Sequence, residues 1–255
     1  MIAFLQWITL AVCGLLAAAR VPSAVRGQNR SLFGIFVLMT FALALSIDAG
    51  YTALDSFLGG QNVANLILRF VIYGAVLLAG YRIAKGFDSA RSVWFIVGPV
   101  GMAVLAAVSV ATVVPFLMAN TAGTSTGLVH LRDQSPHNTD LIRLYTVAGR
   151  FYPSYVAACL LPPILGVLKR RILPRLVRAG AAMLLVGAVA MIVLSLSDML
   201  PRRLAYLQYI ISSTAVLGLA VGLALIWVGR VRAGTKSLRQ LSGASEGPGE
   251  WRPPP

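Results

Sequence analysis

Asp48, Asp55, Asn62, Asn65 and Arg69 stand at or just inside the ends of two apolar runs. In hydrocarbon such groups are costly unless paired, so they are the first place to look for a site. Asp48 and Asp55 are seven residues apart and share a face if one helix carries both. Asn65 and Arg69 are four apart and share a face on the next helix. On neighbouring antiparallel helices, Asp48 and Arg69 would lie at similar depth. Two arrangements fit. One is a polar ligand site opening to the outside. The other, more ordinary, is an ion pair stapling two helices, with Asn62 or Asn65 capping the second.

A second group enters a later apolar run: Arg143, Tyr145, Arg150, Phe151, Tyr152, Pro153 and Tyr155. Arg150 falls about two turns inside it, at ~1.5 Å per residue. The ordinary reading is an interfacial belt of tyrosines with snorkelling arginines. The alternative places Arg69 and Arg150 on one outward cavity, which would suit an anionic ligand. The candidate ligand-binding set is therefore Asp48, Asp55, Asn65, Arg69 and Arg150.

Other chemistries find little footing. His130, Asp133, His137 and Asp140 share one loop, but their spacing matches no metal site, so no metal is expected. Cys13 and Cys159 lie inside apolar runs without CxxC spacing and read as small buried hydrophobes. No HExxH, GxSxG or P-loop occurs, so neither an enzyme nor a cofactor is expected. A retinal Schiff base needs a buried lysine, and Lys85, Lys169 and Lys236 all lie outside the apolar runs.

The elements that must position these residues are membrane helices. The chain is 58% hydrophobic and 12% charged, with a mean hydropathy of +0.79. A soluble domain carries about 25% charged residues. Seven apolar runs suit spans of ~20 residues: Met1–Ala19, Ser31–Tyr51, Val63–Ile83, Val93–Met118, Leu141–Leu168, Ala179–Leu196 and Leu204–Val228. Met1–Ala19 has no basic residue ahead of it and Arg20 behind it, the reverse of a signal peptide. It reads as a retained helix. Gly218 and Gly222 make a small-residue contact motif suited to internal packing. Residues 230–255 are basic, then Gly-, Ser- and Pro-rich, and read as a disordered cytoplasmic tail after a seven-helix domain of residues 1–229.

The net charge of +14 follows from topology rather than from nucleic-acid binding. An arrangement with the N-terminus outside and the C-terminus inside leaves only Arg69, Arg132, Arg143, Arg150, Arg202 and Arg203 outside or in outer halves, of 22 basic residues. Of the acids before the tail, only Asp88 lies inside. The inner basic loops would attract anionic lipid, at about 1 kcal/mol per residue near the surface.

The run Ala42-Leu-Ala-Leu-Ser-Ile-Asp48, then Ala53-Leu-Asp55 with Gly59, then Asn62, Asn65-Leu and Arg69, resembles an actinobacterial family of seven-helix integral membrane proteins of unassigned activity. Tyr152-Pro-Ser-Tyr155 and the basic turn after it extend the resemblance. Members are catalogued as candidate transporters, and they continue into a soluble C-terminal region that is not expected here, where the reading ends in a short Pro-rich tail. The resemblance implies a bacterial inner-membrane location and supplies no substrate. The expectation is an all-α, polytopic membrane protein, transporter-like or small-ligand-binding. The alternative is a membrane sensor or anchor that binds a protein partner through its basic cytoplasmic loops.

Overall fold

The computed structural model describes residues 2–27, 30–121, 123–125, 128, 135–170, 173–196 and 205–245, the last helix as backbone alone beyond Gly229. Every regular element among them is helical: α1 (Ile2–Ala18), α2 (Val21–Val25), α3 (Arg30–Leu45), α4 (Asp48–Phe57), α5 (Val63–Gly86), α6 (Ala90–Val97), α7 (Pro99–Met118), α8 (Pro136–Lys169), α9 (Arg175–Leu196) and α10 (Ala205–Ser245). Six are long and apolar enough to cross a membrane, or seven if the bent pair α3–α4 makes one crossing. The protein is a multi-pass membrane bundle.

The run read as one helix over Ser31–Tyr51 is broken. α3 stops at Leu45, and α4 leaves it at 88°. Ile47 is extended (φ −93°, ψ 135°) between them. Ser46 turns its hydroxyl back onto the Ala42 carbonyl at 2.8 Å, a bond that bends helices. Gly50 makes the corner possible, because a Cβ there would stand 2.3 Å from the Ala44 carbonyl oxygen. The fourth expected run is also divided, at Gly98, with Pro99 opening α7. α10 continues to Ser245, through the first part of the stretch read as a tail. Residues 246–255 lie outside the described set.

Packing follows the small residues. On α9 and α10, Gly187 and Gly218 meet so closely that a Cβ on Gly218 would lie 2.8 Å from the Gly187 Cα. Gly222 meets Leu184 and the Gly180 carbonyl in the same way. The Gly218/Gly222 motif thus serves contact inside the bundle. The main core runs through α1, α3, α5, α8, α9 and α10, with Ile35, Phe36, Tyr152, Ile164 and Leu184 enclosed in it. Cys13 is buried, Cys159 is half-buried, and both are free thiols.

Candidate functional site

One end of the bundle is where α3 and α9 stop and α5, α8 and α10 begin. It is tied together by a polar network. Asn62, in the left-handed region (φ 57°), is fully buried. Its Nδ2 donates to the carbonyls of Thr121 (2.9 Å) and Gly123 (2.7 Å). Its Oδ1 accepts from Tyr51 Oη (2.7 Å) and from the Ser125 amide (2.8 Å). Asp55, at 0% exposure, accepts from Thr124 Oγ1 (2.8 Å) and from the Ala64 amide (3.3 Å). Asp55 therefore caps α5 from α4. Neither asparagine does so: Asn62 makes no side-chain cap bond, and Asn65 accepts from Tyr145 Oη at 2.7 Å.

Beneath this network lies a cavity of about 670 Å³ lined by α3, α5, α8, α9, α10 and Leu128. That is within the ~300–1,000 Å³ usual for small-molecule sites. Asn65, Arg69 and Arg150 all line it. Arg69 is six residues past the start of α5, about 9 Å along the axis. Its guanidinium lies on Gly149, where a Cβ would meet Cζ, Nε and Nη1 at 2.9 Å. The guanidinium also stands 5.3 Å from the centre of the Tyr145 ring. Arg69 Nε is buried with no hydrogen-bond partner among the described residues. Arg150, next to Gly149, donates to the Leu194 carbonyl (3.5 Å) and to Gln208 Oε1 (3.4 Å). Pro153, one turn on, also lines the cavity. It lacks the N–H that would have bonded the Gly149 carbonyl.

No aspartate or glutamate is among the described lining residues. Arg69 and Arg150 thus share one partly enclosed space, and of the two it is Arg69 whose Nε is buried with no hydrogen-bond partner among the described residues. A buried guanidinium nitrogen without an acceptor is costly, so the Arg69 Nε is a place where an anion would be favoured.

The two aspartates of the candidate set are placed elsewhere. Asp48 is exposed at the first turn of α4. Among the described residues no ion pair joins it to Arg69. Asp55 lies in the rim network, so the shared face drawn through Asp48 and Asp55 ends in two different environments. The belt reading of the tyrosines also gives way. Tyr145 and Tyr152 are buried inside the bundle, and Tyr155 Oη donates to the Phe95 carbonyl at 2.7 Å. The helix α8 is 34 residues long, about 51 Å, so its early tyrosines enter the bundle rather than ring it.

Of the loop histidines and aspartates, His137 and Asp140 are exposed on α8, and His130 and Asp133 lie outside the described residues. No group of three metal-ligating side chains occurs among the described residues. Sequence reasoning overlooked Gly149 and Gln208, whose types carry no signal of a site. It also passed over Arg20, assigned to a loop. Arg20 is 3% exposed, and its guanidinium lies 3.8 Å from the centre of the Trp227 ring.

No protein-family model, curated protein or solved structure matches the chain, so the site stands on its own geometry.

Proposed function

We propose that this membrane protein holds a small anionic ligand in the cavity lined by Arg69 and Arg150, in the manner of a transporter. One observation carries the reading: the Arg69 guanidinium lines the cavity with its Nε buried and without a hydrogen-bond partner among the described residues. Asn65 and Gln208 add polar groups at the same level. Asp55 and Asn62 keep the rim in shape and do not touch the ligand. On the resemblance noted above, the membrane is a bacterial inner membrane, with the cavity mouth outside as the basic-residue count predicts.

The cavity narrows inward. Below Val76, Met191 and Leu219 the remaining space is about 10 Å³. Gly80 packs there against Val156, leaving 2.5 Å for a Cβ. The ligand would therefore reach the site from one side only in this conformation, as alternating access requires of one of its end states.

Mass spectrometry of the protein released gently from its native membrane tests the proposal. Wild type should retain a small anion that Arg69→Ala and Arg150→Ala lose, with all three proteins folded. Retention of the same molecule by both variants would refute the reading. Release of a bound protein and no small molecule would favour a partner-binding module instead.

A further inference from the structure

One buried cation lies away from the cavity. Arg20 follows α1 and caps the start of α2, with 3% of its surface exposed. Its guanidinium stands 3.8 Å from the centre of the Trp227 ring of α10 and 5.8 Å from that of Phe36 in α3. Nη1 and Nη2 are both enclosed, with no hydrogen-bond partner among the described residues. Arg82 of α5 is near enough to act on the guanidinium as a like charge, and it keeps a partner of its own.

Both rings stand below the cavity floor. Phe36 is three residues from Met39 on α3, on the side away from the mouth, and Trp227 is eight residues past Leu219 on α10. These steps are about 4.5 Å and 12 Å along the two axes. Helical side chains lean toward their own N-terminus. α3 and α10 run in opposite directions, so the Phe36 ring leans away from the cavity and the Trp227 ring leans toward it. Arg20 sits where the two converge. α1 packs on both α3 and α10, and Arg20 joins the three at the end opposite the mouth.

The arrangement suits a part that moves. A ring face attracts a guanidinium, but two charged donors without acceptors lose more than one such contact returns. Water therefore pulls the cation outward against the ring contacts that seat it. α2, which Arg20 leads into, has no buried residue and offers little resistance to withdrawal. The enclosed guanidinium tip leaves no room for an anion on it in this conformation, which makes Arg20 a plug rather than a second binding group.

We infer that Arg20 is a gate: seated between Trp227 and Phe36 it closes the bundle opposite the cavity mouth, and its withdrawal into water with α2 opens that end. This rests on the transporter-like reading and supplies the route to its other end state.

The test is thiol accessibility in the full-length protein with Cys13 and Cys159 replaced by alanine. Ile83→Cys reports on the narrow space below the floor, which Ile83 lines. Ser212→Cys reports on the cavity. A membrane-impermeant methanethiosulfonate is applied to either face of oriented membrane vesicles. Arg20→Ala and Trp227→Ala should each raise labelling of Ile83→Cys from the face opposite the mouth by about tenfold, as a shift of some 1.4 kcal/mol toward the open state does. Labelling of Ser212→Cys from the mouth should fall in the same variants. Arg20→Met fills the space without charge. It should slow labelling of Ile83→Cys below wild type at an equal or higher Tm, since an uncompensated buried charge is gone. Should Arg20→Ala fail to fold, Trp227→Ala and Arg20→Met carry the test. Faster labelling at both reporters would show a structural clamp and overturn the gate. Unchanged labelling in the alanine variants, or Arg20→Met labelling faster than wild type, would also overturn it. The assay needs no ligand, so opposite changes at the two reporters with no anion retained would keep the gate and refute the anion.

Discussion

Replacing Asp55 by alanine should unfold the rim of the bundle at lower temperature, while the same change at Asp48 should do almost nothing. Asp55 is fully enclosed and carries two bonds, from Thr124 Oγ1 at 2.8 Å and from the Ala64 amide at 3.3 Å. The first is short and charge-assisted, about 1.5–3 kcal/mol. The second is a long cap to an α5 amide, worth about 1 kcal/mol. Relief from burying a carboxylate works against the loss. The net cost is about 2–4 kcal/mol, or roughly 4–16 °C in Tm at 2–4 °C per kcal/mol. Asp55→Asn keeps one oxygen for the Ala64 amide and turns an NH2 toward Thr124, whose hydroxyl can accept from it, and should lose about half as much. Asp48 is exposed, so Asp48→Ala should stay within about 0.5 kcal/mol. Thermal unfolding in a mild detergent, followed by near-UV circular dichroism, reads all three. A Thr124→Ala change made on top of Asp55→Ala should cost less than it does alone, because the two share one bond. Equal effects at Asp48 and Asp55, or full additivity with Thr124, would show that the rim is not held in this way.

Two further outcomes follow from close approaches of glycine. Gly149→Ala should push the Arg69 guanidinium off its seat, since the new Cβ would meet it at 2.9 Å. Mass spectrometry of the gently released protein should find anion retention about tenfold lower, some 1.4 kcal/mol, with a smaller loss of Tm than a clash with backbone would cause, because the displaced atoms are the far end of a long side chain. Gly50→Ala should be less forgiving, because its Cβ would stand 2.3 Å from a backbone oxygen that cannot step aside. A loss of about 1–3 kcal/mol should appear in the same detergent melt.

The hydropathy of the chain made the all-helical membrane bundle legible, because apolar runs of span length have few other uses. The 88° turn after Leu45 was not legible. The two residues at the break, Ser46 and Ile47, include neither Pro nor Gly. The Ser46 hydroxyl bonded to the Ala42 carbonyl and the room that Gly50 leaves against Ala44 are local geometry, which no hydrophobic periodicity records. Arg69 and Arg150 could be singled out because each interrupts an apolar run. Whether they meet depends on how α5 and α8 rotate against each other, and only packing decides that. Asp55 was misplaced for a related reason. It caps a helix nine residues onward, from another helix, whereas the familiar cap stands directly before the amides it binds. Arg20 looked like a loop cation because its ring partner, Trp227, is at the far end of the sequence.

The depth of Arg69 has an electrical consequence. Its place about 9 Å along α5 is close to a third of a hydrocarbon core of ~30 Å. An anion moving from the mouth to that arginine crosses a comparable share of the transmembrane voltage. At about 2.3 kcal/mol per charge per 100 mV, a third of the drop amounts to ~0.7 kcal/mol, close to a threefold change in occupancy. In the proposed orientation, with the mouth on the outer face, an inside-negative potential would drive a monovalent anion back out. Occupancy of the cavity is then coupled to the energised state of the membrane without any dedicated voltage-sensing helix.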